Sequence, residues 1–141
     1  FEQHLIDLGL DDVLDGGVAT VNISTIRTLD ISNSNISDLS GINDFIGLEN
    51  LNCMNNNLTS LPINYNIYLK SLNCSGNMLN SLDVSNNPLL ETLNCSNNVL
   101  LTLDVHDNIP LEELYCSTNM LYALDVLSNP NLLFLEDQHQ L

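Results

Sequence analysis

From residue 29 onward the apolar positions of this chain recur at a fixed interval. Leu72-Asn73-Cys74-Ser75-Gly76-Asn77-Met78-Leu79 returns 21 residues later as Leu93-Asn94-Cys95-Ser96-Asn97-Asn98-Val99-Leu100, and the same phrase stands at 51–58 and 114–121. Within it, Leu72 and Cys74 alternate with polar Ser71, Asn73 and Ser75, the period-2 pattern of a strand. A repeat of this length signals a solenoid. One unit cannot bury its apolar side alone. Stacking gives a continuous parallel sheet, its rungs about 4.8 Å apart, over a continuous core.

Units begin at Leu29, Leu51, Leu72, Leu93 and Leu114, with a partial sixth from Leu135. The first is 22 residues long and the next four are 21. Residues 29–141 therefore read as the repeat domain, and residues 1–28 as an atypical N-terminal cap over the apolar end of the stack. The cap opens on a short amphipathic helix over 1–10, with Phe1, Leu5 and Leu8 on one face and Gly9 near its end. Residues 11–17 read as a turn and 18–23 as extended. After each strand the chain must turn, and Asn56, Asn77, Asn98 and Asn119 occupy that slot, with Ser34 in the first unit. Asn carries both donor and acceptor, so a buried Asn stack can satisfy backbone groups left open there. The second half of the unit, as in Leu82-Asp83-Val84-Ser85, is too short for a long helix, which predicts an irregular, extended or short 3-10 convex side. Asn87-Pro88, Asn108-Ile109-Pro110 and Asn129-Pro130 mark the return turns.

Composition narrows the partners. The 141 residues make one domain, 44% hydrophobic but only 5% aromatic, which suits thin stacked layers. Two basic residues stand against 18 acidic ones, a net charge of −16. Nucleic acid and anionic membrane both need clustered Lys and Arg and are excluded as partners. No apolar run reaches the length of a membrane span, so no membrane insertion is expected. The acidity suits solubility in a saline medium, a basic partner, or a divalent cation.

Joining the end of one unit to the next gives Leu69-Lys70-Ser71-Leu72-Asn73-Cys74-Ser75-Gly76-Asn77-Met78-Leu79, the leucine-rich-repeat phrase L-x-x-L-x-L-x-x-N-x-L with Cys at the third apolar slot. With Leu-Asp-Val-Ser-x-Asn following, the repeat resembles leucine-rich repeats of secreted proteins from marine and gut Bacteroidetes. The front end, Phe1-Glu2-Gln3-His4-Leu5-Ile6-Asp7-Leu8-Gly9 with Val21-Asn22-Ile23-Ser24 and Leu29-Asp30-Ile31-Ser32, looks like the cap of that group. Ile36-Ser37-Asp38-Leu39-Ser40-Gly41-Ile42 resembles the opening repeat of internalin-type proteins. The resemblance implies an α/β-type repeat solenoid, a right-handed leucine-rich repeat with a concave parallel β-sheet and a short helical N-terminal cap. It further implies an extracellular or cell-surface recognition module, often one part of a longer chain. No closing cap is evident after the sixth unit, and a fragment of something longer is the expectation. Fold alone names no partner.

Four groups of residues could carry chemistry. Cys53, Cys74, Cys95 and Cys116 sit on a 21-residue ladder rather than in the close pairs that zinc favours. They read as small buried hydrophobes, unpaired because inward side chains on parallel strands lack disulfide geometry. Asp83, Asp104 and Asp125 share one slot, where each can accept a backbone N–H within its turn, and calcium bridging is the weaker reading. Asp11, Asp15 and Gly16 match part of a calcium loop, but Val13 stands where an oxygen ligand is required and Asn22 replaces the closing Glu. His4, His106 and His139 form no site, with no Ser, Cys or second His forced near His106 by the repeat, so no enzyme is expected.

The outward strand positions form three concave columns, small and polar for most of their length. They diversify at Glu113, Tyr115, Phe134 and Glu136, where aromatic surface stands beside carboxylates. Aromatics anchor interfaces well. Those four, with Asn73 and Asn94, are the candidate partner-binding residues. The expected function is a non-enzymatic extracellular protein-binding or adhesion module acting through the concave face, without a cofactor. A structural spacer carrying another domain, or a calcium-dependent glycan or surface binder, are the alternatives.

Overall fold

A computed structural model describes residues 1–11 and 23–136. The readings for 12–22, most of the proposed turn and extended segment and all but Asp11 of the partial calcium loop, lie outside the described residues. Among the described residues, helix α1 (Glu2–Asp7) precedes six strands: β1 (Thr28–Asp30), β2 (Asn50–Asn52), β3 (Ser71–Asn73), β4 (Thr92–Asn94), β5 (Glu113–Tyr115) and β6 (Phe134–Glu136). They form one parallel sheet in chain order. Each strand pairs with its own counterpart one unit on, as in Leu72↔Leu93 and Asn73↔Asn94. The register is that of the sequence repeat. Because side chains alternate across a strand, any one-residue slip would bring the buried Leu column to the surface.

The core is a set of columns running through the coils. Leu51, Leu72, Leu93 and Leu114 are buried at the strand centres, Cys53, Cys74, Cys95 and Cys116 beside them, and Leu69, Leu90 and Leu111 at the return. Backbone pairing continues past the strands, with Cys74 N–H donating to Asn94 O at 2.8 Å and Cys95 N–H to Tyr115 O at 2.9 Å. At the front of the stack, Leu5 and Ile23 are fully buried and the Phe1 ring lies 6.1 Å from that of Phe45. In the last coil Leu121, Leu124, Val126 and Leu132 are only partly buried.

Helix α1 is shorter than the apolar pattern suggested. Gly9 adopts a left-handed φ of 71°, its N–H donates to Ile6 O and that of Leu10 to Leu5 O, both at 2.9 Å. This is a Schellman close, which only a residue without a Cβ adopts freely. Leu8 is thereby turned outward and is exposed rather than joining Leu5 in the core.

Two Asn ladders tie the coils together. Asn77 donates from Nδ2 to Cys53 O at 3.1 Å and Cys74 O at 3.0 Å, while its Oδ1 accepts from Leu58 N–H at 3.0 Å. Asn56, Asn98 and Asn119 repeat the pattern. In the first unit Ser34 Oγ donates to Ser32 O at 2.9 Å. The second ladder, Asn66, Asn87, Asn108 and Asn129, occupies the return turns. Asn108 Nδ2 donates to Val84 O at 3.0 Å and Asn87 O at 2.9 Å. The Oδ1 atoms of these four are buried without a hydrogen-bond partner.

The opposite side of the coil is irregular. Among the described residues a 3-10 turn occurs at Ile42–Asp44, and isolated parallel bridges join Asp83 to Asp104 and Asp104 to Asp125.

Candidate functional site

The outward positions of β1–β6 form one continuous face. Over its first four rungs several of the polar side chains are held by short-range hydrogen bonds. Asn52 Nδ2 donates to Asp30 Oδ2 at 3.2 Å. Asn73 Oδ1 accepts Ser75 Oγ at 2.7 Å and Ser75 N–H at 3.2 Å. Asn94 does the same with Ser96 at 2.7 and 3.1 Å. Such Asx turns follow from an Asn two residues ahead of a free N–H. They engage the acceptor side of Asn73 and Asn94.

The face changes at β5 and β6. Register pairs Glu113 with Phe134 and Tyr115 with Glu136. Across the diagonal the Tyr115 and Phe134 rings meet at 4.9 Å between centroids, tilted 35°. Tyr115 OH donates to Glu113 Oε2 at 3.1 Å, and Ser117 Oγ to Glu136 Oε1 at 3.2 Å. The bond to Glu113, then desolvation and the charges of Glu113 and Glu136, push the Tyr115 phenol above its ordinary pKa. Phe134 remains 46% exposed. The structure therefore brings Glu113, Tyr115, Phe134 and Glu136 together. Asn73 and Asn94 lie on the same face two rungs and one rung before β5, respectively.

Charge is distributed unevenly around this face. The only Lys and Arg of the chain, Lys70 and Arg27, both pair with Glu49, at 2.9 and 3.5 Å. The Lys70 bond and charge hold the Glu49 carboxyl below its usual range, and Glu49 raises Lys70 in turn.

The Asp column lies elsewhere. Asp83, Asp104 and Asp125 are exposed on the convex side. Their Oδ1 atoms accept the N–H of Ser85 at 3.0 Å, His106 at 2.9 Å and Leu127 at 2.9 Å. The Ser85 hydroxyl and N–H lower the pKa of Asp83. No three His, Cys, Asp or Glu side chains among the described residues converge as a metal site would require. One contact corrects the sequence reading: His106 Nδ1 lies 2.7 Å from Ser128 Oγ. The pair is 22 residues apart, one off the repeat, so matching equal slots does not reveal it. It sits on the exposed convex side, and no carboxylate among the described residues hydrogen-bonds the imidazole.

The four Cys are buried and form no disulfide. Burial pushes the Cys53 thiol up to about 12, and it raises Cys74 and Cys95 as well, with neighbouring thiols adding to the effect. The reactive species is the thiolate. Iodoacetamide at about pH 8 should therefore modify the native chain about 100-fold more slowly than the denatured one. Equal rates, read by mass, would contradict a buried ladder. These groups hold their protons more tightly when folded. Their contribution to stability is full below the ordinary value of 9.0 and is lost as pH rises through about 12 for Cys53.

No family model and no curated protein sequence matches the chain. Solved structures do. The functional domain of InlJ from Listeria monocytogenes, which includes a cysteine ladder, superposes with a TM-score of 0.81 at 33% identity, over 86% of this chain and 27% of that one. The LRIM1/APL1C complex gives 0.72 at 24% identity, over 79% and 23%. The internalin InlF of the same Listeria species gives 0.64 at 20%, over 71% and 30%. This chain thus spans under a third of each. The 21-residue register, the single parallel sheet and the ladders of Asn and Cys, set beside these neighbours, identify the chain as a leucine-rich-repeat protein.

Proposed function

We propose that this chain is a non-enzymatic protein-binding module of an extracellular or cell-surface protein, acting in adhesion through its concave sheet. Its contact centre is Tyr115 and Phe134 with Glu113 and Glu136, and Asn73 and Asn94 form the flank. One observation carries the reading: a pair of stacked, part-exposed aromatic rings on a face otherwise lined by small polar residues. Aromatic anchors of this kind supply much of the energy of protein interfaces. On the rest of the face Asn52, Asn73 and Asn94 are already held by hydrogen bonds, and side chains ordered in advance lose little entropy on binding. The LRIM1/APL1C neighbour, itself solved as a complex, shares the fold. Burial would keep the four thiols unpaired in an oxidising compartment.

A random-peptide phage library panned against the immobilised chain tests the reading. Clones that bind it should lose about tenfold or more in affinity against the double variant Tyr115→Ser, Phe134→Ser. Clones that bind both chains equally would place the contact elsewhere and favour the spacer reading.

A further inference from the structure

We infer that the Tyr115–Phe134 pair is a socket for a basic side chain, an Arg guanidinium or Lys ammonium presented by a protein partner. The inference rests on the protein-binding reading and specifies its chemistry. Two observations point to it. First, the rings carry electron-rich faces, and Phe134 leaves nearly half its surface open. A cation over such a face is attracted by the ring quadrupole. Second, the flanking charge is all of one sign. Glu113 is the register partner of Phe134, and Glu136 that of Tyr115, so a carboxylate stands on either side of the ring diagonal. Neither has a Lys or Arg of its own chain to neutralise it, because the only two are both held by Glu49 near β2.

The carboxylates are also placed in advance. Tyr115 OH holds one oxygen of Glu113, and Ser117 holds one oxygen of Glu136. Each carboxylate keeps a second oxygen for a donor. Arg suits this arrangement best: its flat guanidinium stacks on a ring while its edge N–H groups reach carboxylates. A neutral or acidic partner would leave two like charges unrelieved beside the interface. Complementary charge also speeds encounter for a chain of net charge −16.

The test uses one synthetic peptide of alternating Arg and Gly and its counterpart with citrulline, which keeps the shape and removes the charge. Titration at physiological ionic strength screens diffuse attraction. The Arg peptide should bind about tenfold more tightly than the citrulline peptide. The double variant Glu113→Gln, Glu136→Gln should lose about fivefold or more, while Asp104→Asn, Asp107→Asn, which removes the same charge from the convex side, changes affinity less than about twofold. Equal losses in the two variants, or no preference for Arg over citrulline, would overturn the socket. Phage clones that depend on Tyr115 and Phe134 but carry no Lys or Arg would overturn it too, while leaving the protein-binding reading in place.

Discussion

Asn108→Asp is expected to cost about 4 kcal/mol or more at neutral pH, although it changes one NH2 group for an oxygen. The native amide donates to Val84 O and Asn87 O, and its Oδ1 has no partner. A carboxylate there would turn an oxygen toward two carbonyl oxygens, in a site fully closed to solvent. It would also find no donor for the other oxygen. Taking the proton instead restores one donor of the two. Burial raises the folded pKa of the new carboxyl above its unfolded value near 3.9. The variant is therefore least destabilised in acid, and the defect grows as pH rises through the raised value. Urea unfolding of variant and parent at about pH 5 and pH 8 reads this directly. If the variant does not fold at the higher pH, recovery of structure in acid is the readout. Equal stability of variant and parent at both pH values would contradict a donor role for the second ladder.

Asn77→Ala should cost about 3 to 5 kcal/mol, the second large effect. Truncation strands Leu58 N–H inside the coil and removes one of the two amide donors from each of Cys53 O and Cys74 O, which keep Asn56 and Asn98, at about 1 kcal/mol for each bond lost. Each unsatisfied buried group costs about 1–3 kcal/mol. Asn94→Ala gives the contrast. Its side chain bonds only Ser96, on the concave face, and its loss should stay within about 1 kcal/mol. Denaturant midpoints of the two variants measure the difference, and similar losses would deny that the buried slot is special.

The contrast between Asn77 and Asn94 also shows what the sequence made legible. Period 21 placed every strand, because register in a stacked coil is set by which side chains must be buried together. The first Asn ladder followed from the need to satisfy backbone where the chain leaves the strand. The second was hidden by its context. Asn87-Pro88 and Asn129-Pro130 read as ordinary turns, and Pro and Asn at a return account for themselves locally. Their equal spacing, with Asn66 and Asn108 in the same slot, was the available signal.

The candidate face was legible only by column. Listing equal slots aligns Tyr115 with Glu136 and Glu113 with Phe134, yet the ring contact runs across the diagonal, within reach of long side chains on neighbouring strands. The His106–Ser128 contact escaped for a related reason, since it joins unequal slots. Helix α1 ended early because Gly9 closes it, a backbone effect that apolar spacing does not register.

Two kinds of position divide the coil: inward and turn slots that hold it together, and outward slots of β5 and β6 that bind. Measuring both melting temperature and phage-clone affinity for Tyr115→Ser, Phe134→Ser tests that separation most directly. The expected result is a melting temperature within about 3 °C of the parent with affinity reduced about tenfold or more. Unchanged affinity, or a collapse in melting that carries the binding loss with it, would contradict it.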